Sequence, residues 1–139
     1  MQNHLLTGLR TVFWIHIIVG FIFGLAFLLI PAQALGLYGW PEMDPYFPRL
    51  VGAAILSFAA SSWFALQANT WNRVKLIVQT EIVWTTLATI TMIWGMLSED
   101  LPAITWLNVI IMAAFAVAFT YYYMQEGRVV SEQAGPVTR

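Results

Sequence analysis

The chain has no cysteine, which excludes disulfides, thiolate zinc sites, iron–sulfur clusters and a cysteine nucleophile, and leaves the redox compartment unmarked. It is also poor in charge. Only 9% of its 139 residues are Asp, Glu, Lys or Arg, against roughly 25% in soluble globular domains. The net charge is −1 and no basic run or stripe exists, so nucleic acid, whose binding releases counterions from phosphates, is set aside as a partner. No phosphate-cradling glycine loop, nucleophile elbow or catalytic triad is present. The histidines are His4, at the terminus, and His16, too few for bis-histidine haem or a complete zinc site, so no metal and no cofactor is expected. An enzyme is the minority reading, and no catalytic residue is assigned.

What remains is apolar: hydrophobic residues make up 60% of the chain. Four stretches reach the roughly 20 residues that cross a bilayer, at 11–30, 50–66, 76–97 and 103–124. The first could imitate a secretory signal, with Arg10, an apolar run and Ala32-Gln33-Ala34 as its parts. Signal cores of about 7 to 15 residues are shorter than this run, which favours an uncleaved first span. Between the first two stretches, Gly36, Gly39, Pro41, Pro45 and Pro48 forbid a continuous helix and predict a loop with one short interfacial turn near Ala32 to Leu37. The other connections, QANTWNR and SEDLP, are short and polar, so neighbouring helices run antiparallel. The predicted fold class is all-α, an integral membrane antiparallel four-helix bundle forming one membrane domain, followed by a polar tail over 125–139.

Arg10, Arg73, Lys75, Arg128 and Arg139 fall on one side of these spans, while Glu42, Asp44, Glu99 and Asp100 fall on the other with Arg49 as its base. The positive-inside rule then places both termini in the cytoplasm, in a cytoplasmic or inner membrane. Trp40, Tyr46, Trp94 and Trp106 would mark the outer boundary, and Trp14, Trp63, Trp71 and Tyr121 to Tyr123 the inner one. The aromatic first loop, with Tyr38, Trp40, Tyr46 and Phe47, is placed to close over the outer mouth.

Within the spans, Glu81 follows Lys75 by six residues and His16 follows Arg10 by six, so both ionisable groups enter from the same side to a similar depth. His16, Gly20 and Gly24 share a helix face, and GFIFG has the small-residue spacing that admits another backbone. On the second span, Ala53, Ser57, Ser61 and Ala65 form a stripe that brings Ser61 to the level of Glu81; on the third, Thr85 and Thr89 continue the polar face, and the fourth contributes Asn108. The candidate ligand-binding or proton site is therefore His16, Glu81, Ser61 and Thr85, with Arg49 as a weaker outer site for an acidic side chain, anion or lipid headgroup. Three readings of the pair stay open: interhelical fasteners, a ligand or proton site, and contact with a separate membrane subunit. The expected partners are membrane lipid and either a hydrophobic ligand or a partner membrane subunit, with homo-oligomer formation open.

The layout of four short spans, an extended first loop and PRLVGAAILSFAASSWFAL opening the second helix resembles the DoxX-like group of small four-helix membrane proteins. The resemblance covers most of the chain and implies the fold; members range from quinone-linked oxidoreductase subunits to proteins without assigned activity, and no catalytic residue carries over. Small multidrug-resistance transporters are similar in using an intramembrane glutamate, but in their first helix rather than the third. Sterol-isomerase-like proteins are similar in placing acidic and histidine groups inside four helices, without a matching string here. The leading expectation is a non-enzymatic membrane protein that binds a hydrophobic small molecule or lipid, or serves as an accessory subunit. Proton-coupled transport and lipid-directed acid–base catalysis are the alternatives.

Overall fold

The structure, a computed structural model, describes residues 3–68 and 71–125. The tail beyond Gln125, with Arg128 and Arg139, and the side chain of His4 lie outside the described residues. Helix α1 spans Asn3–Leu29, a short α2 Pro31–Leu37, α3 Tyr46–Gln67, α4 Trp71–Ser98 and α5 Trp106–Met124, the last preceded by a 3₁₀ turn at Ala103–Thr105. No strand occurs among these residues. Thr7–Leu29, α3, α4 and Ala103–Met124 are each long and apolar enough to cross a membrane. Their outward faces carry Ile18, Ile22, Leu76, Val83, Leu87 and Val117 exposed, an exterior suited to hydrocarbon rather than water.

α1, α3 and α4 start earlier than the apolar runs predict, and α5 three residues later, after its 3₁₀ turn. α3 begins four residues before Leu50, at Tyr46, where Asp44 Oδ1 accepts the Tyr46 N–H at 2.8 Å. Pro48 belongs to its first turn, where a missing N–H leaves no helical bond unmade. Pro31 opens α2 in the same way, and Gly39 closes it. With φ +69°, Gly39 takes the left-handed turn that lets Trp40 N–H reach back to Leu35 O at 3.1 Å and Gly39 N–H to Gly36 O at 3.0 Å. That turn redirects the chain across the top of the bundle.

Side-chain contacts fix the antiparallel order. Arg10, near the start of α1, donates to Leu66 O near the end of α3 at 3.1 Å, satisfying a carbonyl that the ending helix leaves open. Gln79 of α4 donates to the Tyr123 hydroxyl of α5 at 3.0 Å. α1 packs intimately on α3 because glycine removes the side chains between them. A Cβ on Gly52 would lie 2.6 Å from Leu28 N and 2.7 Å from Gly24 O, and one on Gly20 2.9 Å from Ala59 Cβ. GFIFG does receive a backbone, and it is that of the second span.

The molecule thus consists of two helical hairpins, α1 with α3 and α4 with α5. Its continuous hydrophobic core, including Leu9, Phe13, Val74, Val78 and Phe119, lies toward the end that carries Arg10 and Lys75; we call this the basic end, and the end carrying Glu42, Asp44, Glu99 and Asp100 the acidic end.

Candidate functional site: a buried polar cluster beneath an apolar cavity

Where the hairpins meet, four side chains from three helices form a polar cluster. His16 of α1 is 6% exposed, and Ser62 of α3 and Glu81 of α4 are fully buried. His16 Nδ1 and Ser62 Oγ are hydrogen-bonded at 2.8 Å. Ser61 Oγ lies 2.8 Å from Glu81 Oε1 and 2.7 Å from the Phe58 carbonyl, sharing one proton between two acceptors. Ser62 Oγ is 3.3 Å from the same Glu81 oxygen. The second carboxylate oxygen, Oε2, has no hydrogen-bond partner among the described residues and stands 3.7 Å from His16 Nε2, within ion-pair range and beyond hydrogen-bond length. Phe115 and Phe119 of α5 present ring edges or faces to the imidazole at centroid distances of 4.7 and 5.6 Å, excluding water from one side.

The structure brings His16, Glu81 and Ser61 together, and their arrangement differs from the expected one. The link between the first and third spans runs mainly through Ser62, which the stripe of Ala53, Ser57, Ser61 and Ala65 omits. Ala53 and Ser57 are exposed, and the Ser57 hydroxyl bonds Ala53 O at 2.9 Å. The buried face of α3 instead carries Gly52, Ala59, Ser62 and Ala65. Its signal was present: Gly52 and Ala59, seven residues apart, are the small residues that match GFIFG, and Ser62 is one turn further along the same face. Thr85 is fully buried one turn above Glu81, but its hydroxyl donates to the Glu81 backbone carbonyl at 2.6 Å, and Thr89 repeats the pattern on Thr85 O at 2.7 Å. These threonines satisfy themselves within the helix rather than completing the carboxylate's shell. Arg49 is exposed and makes no ion pair among the described residues, so the expected pairing with Glu42, Asp44, Glu99 or Asp100 is not formed. Trp71, expected as a boundary anchor, has its indole N–H buried without a hydrogen-bond partner among the described residues.

On the acidic side of the cluster lies a cavity of about 310 Å³. His16 and Phe115 border it, while Glu81 does not. Its walls are phenylalanine, aliphatic and methionine side chains, among them Phe23, Ile55, Met92 and Met112, with Phe58 of α3 and Trp84 of α4 stacked across the hairpin seam at 4.6 Å and 10°. The first loop roofs it, as its aromatics suggested. Tyr38 donates to Asn108 Oδ1 at 2.9 Å, and Trp40 Nε1 donates to Thr105 Oγ1 at 3.0 Å, tying the loop to the start of the fourth span. Burial raises the Tyr38 phenol above its ordinary pKa, so the donor proton stays in place at neutral pH. Among the described residues no group of three or more His, Asp or Glu gathers as a metal site would need.

Fold and site together define a helical bundle with four helices long and apolar enough to cross a membrane and a polar cluster under a roofed apolar cavity. Compared with protein-family models, with curated proteins and with solved structures, the chain finds no match.

Proposed function

We propose that this is a non-enzymatic membrane protein that holds a hydrophobic small molecule or lipid in the roofed cavity, with the His16–Ser62–Glu81 cluster setting the floor. One observation carries the reading: a cavity of about 310 Å³ with an aromatic and methionine lining, at the lower end of the roughly 300 to 1,000 Å³ of small-molecule sites. Methionines such as Met43, Met92 and Met112 have flexible, polarisable side chains that adapt to an occupant's shape.

In this reading both termini are cytoplasmic, since Arg10, Arg73 and Lys75 cluster at the basic end, and the roofed acidic end faces outward. The DoxX-like layout agrees with the four crossings and contributes no residue. The apolar exterior also suits an accessory role beside another membrane subunit or a second copy of the chain, which would leave the cavity's occupant in place.

The test uses the protein in lipid nanodiscs and a brominated hydrocarbon, 1-bromoundecane, as a quencher of tryptophan fluorescence, because Trp40 and Trp84 line the cavity. Saturable quenching that the double variant Val51→Phe/Ile55→Phe removes is the expected result. Quenching that only follows partition into lipid, unchanged by that variant, overturns the proposal.

Proton-coupled transport is the second reading, favoured by the unpartnered Glu81 Oε2 beside a histidine that borders the cavity. Vesicle uptake that depends on a pH gradient and is lost in Glu81→Gln would establish it; uptake indifferent to the gradient removes it. Lipid-directed acid–base catalysis needs both groups at the ligand and draws no support from a cavity that Glu81 does not line.

A further inference from the structure

The polar atoms around the cavity are few. At its floor, His16 has Nδ1 on Ser62 and Nε2 at ion-pair range of Glu81 without a hydrogen bond to it. At its acidic end nearly all are engaged. The Tyr38 phenol spends its proton on Asn108, and the Trp40 indole N–H is held by Thr105. Asn108 is the exception. Its amide oxygen accepts from Tyr38, while its amide nitrogen makes no hydrogen bond among the described residues. Asn108 lines the cavity and a primary amide nitrogen carries two donor protons, so the residue brings a free donor to the acidic end, its amide oriented by the phenol that fixes the oxygen.

No Asp, Glu, Lys or Arg lines the cavity. A carboxylate or ammonium group drawn inside would lose its hydration without gaining a counter-charge, which is strongly unfavourable. A plain hydrocarbon would fill the space and leave the Asn108 donor buried and unpaired. An alcohol or carbonyl compound avoids both penalties. Its oxygen accepts from the amide, a hydroxyl can in turn donate to the Tyr38 oxygen, and its apolar body extends toward Phe115 and the floor.

We infer that the cavity selects neutral lipophiles carrying one hydroxyl or carbonyl oxygen, which the Asn108 amide binds beneath the Tyr38 roof. This rests on the cavity being a ligand site, and the experiment separates the two ideas. Three probes of equal chain length are compared in nanodiscs by tryptophan quenching: 11-bromoundecan-1-ol, 1-bromoundecane and, at mildly alkaline pH, 11-bromoundecanoate. The alcohol should half-saturate at a bilayer mole fraction about five-fold below the hydrocarbon, the advantage of one neutral hydrogen bond, and the carboxylate should show no saturable component. Asn108→Leu should erase the alcohol's advantage while moving the hydrocarbon by no more than about two-fold. Tyr38→Phe, which removes the orienting bond and keeps the ring, should reduce the advantage in a variant that retains its packing, so the test survives if Asn108→Leu misfolds.

Equal half-saturation by alcohol and hydrocarbon, an advantage untouched by either variant, or tightest binding of the carboxylate each overturns the inference while leaving a ligand site. Absence of saturable quenching by all three probes overturns the ligand site itself, and the inference with it.

Discussion

From Leu9 to Ile17, the inward face of α1, with Leu9, Phe13 and Ile17, packs in one core with Ala65 and Leu66 of α3, Val74 and Val78 of α4, and Phe115 and Phe119 of α5. From Val19 to Phe27 the same helix keeps its contact with α3 but faces a cavity on the other side. Side-chain size and the placement of polar groups separate these halves, Arg10, Thr11 and His16 all falling in the first. Along the cavity-level part of the α1–α3 interface, small residues let the backbones meet, at Gly20 with Ala59 and at Gly24 with Gly52. Across the seam between hairpins, Ser61, Ser62, Glu81 and His16 join the halves near the basic end, whereas bulky rings and methionines above them meet without filling the space. In hydrocarbon, where lipid is as apolar as leucine, close packing and hydrogen bonds hold helices together, so a seam lacking both is the natural place for a guest.

The contrast breaks most severely at the backbone contact. Gly52→Ala puts a methyl against main-chain atoms of Leu28 and Gly24, and should lower stability by about 1–3 kcal/mol, the usual range for overpacking; denaturation in mixed micelles measures it. Ser62→Ala removes the hydroxyl between His16 and Glu81. It should weaken the closed half by about 1 kcal/mol while leaving the half-saturation of 1-bromoundecane within about two-fold. Val51→Phe/Ile55→Phe reverses the pattern: the probe's saturable quenching disappears while stability moves by less than the Gly52→Ala change, measured in the same unfolding assay.

The smallest effect tests the roof. Because burial raises the Tyr38 pKa, its neutral form is favoured in the fold, and that contribution is present below the ordinary tyrosine pKa and lost as pH rises through the raised one. Ultraviolet titration should show one phenol ionising later than a free tyrosine, absent in Tyr38→Phe. A Tyr38 that ionises with the ordinary value would mean the roof does not stay seated.

Much of this was legible in the residues. Spans, turns and the common level of His16 and Glu81 follow from run lengths and from counting inward from Arg10 and Lys75, because helix rise is constant. The GFIFG face was readable because glycine has one reason to recur there. Ser62 was missed because a stripe of four-residue spacing drifts around the helix, so Ala53 and Ser57 reach the exterior while Ser62 stays inside. The inward face of Thr85 was readable from its place one turn above Glu81, but its hydroxyl bond was not, because threonine in a helix has a backbone carbonyl within reach before any neighbour arrives. The cavity left no periodic signal at all: it arises from rings on α1, α3, α4, α5 and the first loop that fail to interdigitate, a property of three-dimensional fit.

Phe58 and Trp84 bear on how wide a guest can be. Parallel rings adhere by dispersion over their faces and have no directional bond to break when one glides over the other. On the proposed reading of the cavity as a ligand site, this unlatched pair, set between the tethered floor and the hollow above, is where a stout occupant would press the hairpins apart, while the hydrogen bonds beneath keep them in register.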